Sequence, residues 1–133
     1  MARTTISSGS PYEPVIGFSR AVVAGHHVCV AGTAPVMPDG VEPPADAYGQ
    51  ASRVLEIIVA ALTEVGARPR DVVRTRTYLT RAEDWEEVGR AHGELFADVR
   101  PASTMIVVSG FLDPRWVVEM EADAILPPAE APE

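Results

Sequence analysis

Between residues 48 and 65, Tyr48, Ala51, Leu55, Ile58, Leu62 and Val65 recur at alternating spacings of three and four. That is the period of an α-helix with one apolar stripe. Asp46 stands where an N-cap is needed, Gly66 where the chain leaves the helix, and Pro69 blocks continuation. A helix that is apolar on one side only must lie on something. The flanking segments supply that surface, because most of them carry strand patterns.

Ala21-Val22-Val23 and His27-Val28-Cys29-Val30-Ala31 flank Ala24-Gly25-His26, which reads as a β-hairpin. Thr4 to Ser7 is a short first strand, followed by a Ser/Gly/Pro loop through Pro14; Gly32 to Pro44 reads as an ordered loop. Asp71 to Thr80 is a strand with Val73, Thr75, Thr77 and Leu79 on one face and Arg74, Arg76 and Tyr78 on the other. A second helix runs from Asp84 to Ala97 on Trp85, Val88, His92 and Leu95, until Arg100-Pro101 ends it. Thr104 to Ser109 and Trp116 to Ile125, joined through Gly110 to Arg115, complete six strands. This order predicts an α+β fold, a mixed six-stranded sheet with two helices on one face. One domain occupies residues 1–126, and 127–133 form a Pro/Glu/Ala tail expected to fray. The sheet face without helices needs another cover, which predicts an oligomer.

Composition excludes several functions. A net charge of −8, with every basic side chain an arginine, opposes a phosphate-binding surface, so no nucleic-acid partner is expected. Cys29 is the only cysteine, which rules out an intramolecular disulfide and a zinc site built on several cysteines. No apolar run has membrane-spanning length and no basic-then-apolar leader opens the chain, so the expectation is a cytoplasmic protein without a membrane partner.

From Ser8 to Ile125 an ordered set of segments resembles the RidA/YjgF family of reactive-intermediate deaminases. Its carriers are Ile16-Gly17-Phe18-Ser19-Arg20-Ala21-Val22, Val28 through Pro35, Gln50, Leu55 and Gly66, Asp71-Val72-Val73, and Tyr78-Leu79-Thr80. Arg100-Pro101-Ala102-Ser103-Thr104 is similar to the family's Pro-Ala-Arg-Ser motif, and Val118-Glu119-Met120-Glu121-Ala122 to its Ile-Glu-Ile-Glu-Ala strand. The resemblance implies a chorismate-mutase-like fold and a homotrimer whose sheets form an inner barrel. It also implies small-molecule clefts between subunits and cofactor-free hydrolysis of imines or enamines.

Carried across position by position, the family pocket loses polar groups. Its arginine is Ser103, its tyrosine Phe18, its strand serine Ala31, and a common asparagine Gly89. Gly32, the aromatic position as Trp85, and the carboxylate as Glu119 are kept. The candidate catalytic groups are Glu119, Ser103 and His92; the candidate lining is Phe18, Ala31, Gly32, Trp85, Gly89 and Met105. Ser103 has no base near it in sequence, and His92 reads either as a packed histidine or as an acid–base. Glu119, Glu121 and Asp123 alternate on one strand face, and ion pairs with Arg74 and Arg76 are expected for the latter two. Those acids are spread too widely along the strand to hold one ion without help from elsewhere, so no metal is expected, and the resemblance implies no cofactor. His26 and His27 read as exposed turn residues, and Cys29 as a small core residue. Two functions follow. One is a divergent hydrolase or deaminase of an imine, enamine or related metabolite, with weak or no activity on 2-iminopropionate. The other is a non-catalytic trimer that binds a small ligand.

Overall fold

The computed structural model describes residues 3–128. Strands β1 (Arg3–Ile6), β2 (Ala21–Ala24), β3 (His27–Thr33), β4 (Val72–Leu79), β5 (Ala102–Val107) and β6 (Val118–Ile125) form one sheet in the order β1-β2-β3-β6-β4-β5. Helices α1 (Ala47–Glu64) and α2 (Trp85–Phe96) pack on one face of it. Only the β4–β5 pair is parallel; the other four pairings are antiparallel. The expected α+β architecture is therefore present. From residue 129 on, the expected tail lies outside the described residues.

Helix α1 begins as its sequence requires: the Asp46 carboxylate accepts a hydrogen bond from Gly49 N–H at 2.9 Å. It ends before Gly66, whose φ of +81° is the left-handed conformation that a side chain would resist. Its stripe, through Ala51, Leu55, Ile58 and Leu62, meets Val28, Val30, Met120, Ala122 and Ala124 of the sheet in one apolar core. Gln50 is the polar member of this buried layer. Its amide donates to Pro44 O at 2.9 Å and Arg115 O at 2.8 Å, and its carbonyl accepts from Val117 N–H at 2.8 Å. One side chain thus ties the first turn of α1 to two loops, with each of its own polar atoms engaged.

Several expectations shift. The first strand is Arg3–Ile6, β3 continues through Thr33 where a loop was expected from Gly32, and β5 starts earlier, at Ala102. β5 and β6 are consecutive in sequence but not neighbours, because β4 lies between them. A register shift between Val72 and Arg74 buries Val72 and leaves Val73 47% exposed, so Val73 does not share the Thr75–Leu79 face. Cys29 is not a core residue; it stands exposed on the open face, opposite the buried Val28 and Val30. Trp85 does not join the buried stripe of α2 and is 57% exposed, while Val88, Ala91 and Phe96 are buried.

Candidate functional site

The candidate residues form two clusters. The first is on the open face of the sheet, beside the N-terminal loop. Glu119, on β6, is half-buried, and a Cβ placed on Gly32 would lie 3.4 Å from its Oε1. Glycine at position 32 lets the carboxylate sit against the backbone of β3. Phe18 and Trp116 help wall a cleft of about 760 Å³ that also reaches Gly32 and Glu119. Ala31 is held by its backbone, with its N–H donating to Arg20 O at 2.9 Å. The loop is pinned in turn by Glu13, which accepts hydrogen bonds from Ser7 Oγ at 2.9 Å and from the backbone and side chain of Ser8.

Arg20 belongs to this cluster and was not among the candidates. It lines the cleft and donates to Gly32 O at 3.2 Å and Thr33 Oγ1 at 2.9 Å. The one sequence signal was its position two residues beyond Phe18, just before a strand. Burial pushes the Glu119 carboxyl above the usual carboxylate range; Arg20 pulls it back down, and Glu121 pushes it up again. The result is a carboxyl able to exchange a proton closer to neutrality than an exposed glutamate does.

The second cluster lies on the helix-covered face, at the sheet edge. Trp85, Gly89 and His92 are spaced i, i+4, i+7 on α2, and Thr75 of β4 and Met105 of β5 reach this face at His92 and Gly89. Gly89 leaves room there: a Cβ on it would meet Met105 Cε at 3.8 Å. Thr75, directly opposite Ser103 in the β4–β5 register, connects Ser103 to His92. Thr75 Oγ1 donates to Ser103 Oγ at 2.8 Å and lies 2.8 Å from His92 Nε2. A hydroxyl has one proton, so in this arrangement Nε2–H donates to Thr75; the reverse direction runs from Ser103 through Thr75 to a bare Nε2. Burial lowers the His92 pKa and so favours the neutral ring, the form that an accepting Nε2 requires. Phe96 packs against the ring with centroids 4.7 Å apart. The fold thus brings an imidazole, through Thr75, to a serine that has none nearby in sequence.

Within one chain the clusters do not meet. Glu119 sits opposite Tyr78, on the open side of β4, whereas Ser103 sits opposite Thr75, on the helix side. Of the expected ion pairs, Arg76–Asp123 forms at 3.5 Å, but Glu121 accepts its hydrogen bond from Tyr78 Oη instead of an arginine.

A six-stranded mixed sheet of this order with both main helices on one face defines a small α+β protein of the chorismate-mutase-like fold. The chain belongs to the Endoribonuclease L-PSP family, which is the YjgF/RidA family, with residues 9–126 matched. It is 44% identical to an uncharacterised protein of Streptomyces coelicolor, over 90% of this chain and 89% of that one. It is 27% identical to the 2-iminobutanoate/2-iminopropanoate deaminase of Escherichia coli, over 94% and 98% respectively. The crystal structure of a YjgF/YER057c/UK114-family member from Mycobacterium tuberculosis superposes with a TM-score of 0.85 at 41% identity, covering 94% of this chain and all of that one.

Proposed function

We propose that this protein is a divergent Rid-type hydrolase whose working cleft is completed between neighbouring copies of a homotrimer, with an imine, enamine or related small metabolite as substrate. The observation that carries this reading is the placement of Glu119 and of the Ser103–Thr75–His92 chain on opposite sides of one sheet. Groups separated in this way can act on one molecule only when a second copy brings its edge strand to the first copy's open face. The named activity of the Escherichia coli relative supports the reaction class.

In this mechanism Glu119, in its acid form, protonates the imine nitrogen. As carboxylate it then takes a proton from the water that adds to the imine carbon. Collapse of the carbinolamine releases ammonia and leaves a carbonyl. Ser103 of the adjoining copy serves the other side of the cleft, where it gains or gives up a proton through Thr75 to His92. Arg20 restores a positive charge, on the Glu119 side, that Ser103 does not supply.

An ammonia-release assay on 2-iminopropionate tests the reading. The native chain shows weak or no turnover on it, and Ser103→Arg raises the rate, because a bidentate grip on the substrate carboxylate is restored. Native turnover equal to that of an arginine-bearing relative would defeat the assignment of Ser103.

A second reading, a trimer that binds a small ligand without turning it over, is favoured by the apolar lining that Phe18, Ala31, Gly89 and Met105 would share where two copies join. It predicts ligands that raise the melting temperature but are recovered unchanged.

A further inference from the structure

His27, Cys29 and Asp123 lie together on the open face, at the end of the sheet where β3 begins and β6 finishes. Strand alternation puts His27 and Cys29 on the same side of β3, and the register sets Cys29 directly opposite Asp123. One donor atom from each residue lies within 4.8 Å of the other two. Donors around a tetrahedral ion stand roughly 3.3–3.8 Å apart, given bond lengths of about 2.0–2.3 Å. Small rotations about the side-chain bonds close that difference. The Glu119 cleft does not use these residues, since four strand positions, about 13 Å, separate Glu119 from Asp123.

We propose that His27, Cys29 and Asp123 form a binding site for one divalent transition-metal ion of zinc's borderline softness, with solvent in the remaining position. One imidazole nitrogen, one thiolate sulfur and one carboxylate oxygen form a donor set that suits zinc and does not suit magnesium or calcium. Glu121, on the same face, and the net charge of −8 make the surroundings favourable to a cation. Arg76 is the competitor, because its guanidinium lies 3.5 Å from Asp123. That pair is partly exposed and long, hence weak. Arg76 also faces Glu121 across the register, which offers it a second carboxylate when the ion takes Asp123. On binding, the Cys29 S–H bond breaks, a sulfur–metal bond forms, and the proton leaves to solvent.

Titration of the metal-free, tag-free protein with Co²⁺, followed by Zn²⁺ competition, tests the site. The expected result is one Co²⁺ per chain, a thiolate-to-cobalt charge-transfer band, and its loss when Zn²⁺ is added. Cys29→Ser abolishes the band, and His27→Gln and Asp123→Asn each weaken Zn²⁺ binding by about tenfold or more. Arg76→Gln, which alters no ligand, tightens binding by releasing Asp123. Absence of the band in the native chain, its persistence in Cys29→Ser, or weaker binding in Arg76→Gln would each overturn the proposal. None of these readouts involves ammonia release, so the result is independent of the hydrolase reading.

Discussion

At the scale of single residues, chemistry here depends on what each side chain is pressed against. His92 is held below the ordinary histidine value of 6.5 by burial, so the folded protein resists charging it while the unfolded chain does not. A lowered folded-state pKa means that this contribution to stability is fully present above about pH 6.5 and is lost as pH falls through the lowered value. His92→Gln, which keeps an N–H for Thr75 but cannot take up a proton, flattens that part of the stability curve. Urea unfolding midpoints measured from about pH 7 down to about pH 5 check this. An undiminished slope in the variant would place the titration elsewhere. Residue identity, set against the family motifs it resembles, exposed the loss of polarity at Phe18, Ala31 and Ser103. It did not expose Arg20, because an arginine before a strand looks like any solvated charge until the fold turns it onto Gly32 and Thr33.

At the scale of elements, the helices were the most legible part of the chain. A stripe of period 3.6 with an N-cap and a closing glycine admits few other conformations, and α1 follows it closely. Strands were less so, because a single shift of register moves every side chain to the other face. Val73 and Cys29 show both sides of this. The shift between Val72 and Arg74 is invisible to an alternation count, and Cys29 alternates with its neighbours as expected but toward the open side. Gln50 links elements more than it stabilises its own helix. Truncation in Gln50→Ala leaves a buried N–H and two carbonyls without partners. It lowers stability by about 3 kcal/mol, measured by denaturant unfolding. A loss near that of an exposed glutamine would mean that solvent reaches these groups.

At the scale of the whole molecule, β5 is the element that a single chain leaves unfinished. It is an edge strand, all six of its residues are exposed, and Met105, Ile106 and Val107 are large apolar side chains among them. An edge of that kind is a pairing surface unless something covers it. Sedimentation equilibrium is expected to return three times the 14.2 kDa chain mass. Ile106→Glu, on the open side of β5, is expected to shift the protein toward monomer and to reduce any turnover with it. A monomeric native chain would remove the basis for a cleft shared between copies.

The sequence by itself determined the fold class, the extent of α1, the hairpin and the family, because periodicity, caps and turn residues act over a few neighbouring positions. Set against the family motifs that it resembles, it also showed that Phe18, Ala31 and Ser103 lack hydroxyl or guanidinium groups, since side-chain identity is read position by position. Only the tertiary structure decided which polar groups meet. Strand order placed β4 between β5 and β6, which put Ser103 beside Thr75 and His92 and set Glu119 on the opposite face. Cross-strand register then brought Cys29 to Asp123. Pairings of this kind join residues tens of positions apart, and hydrogen bonds between strands, unlike helical ones, leave no local period in the sequence that selects the partner.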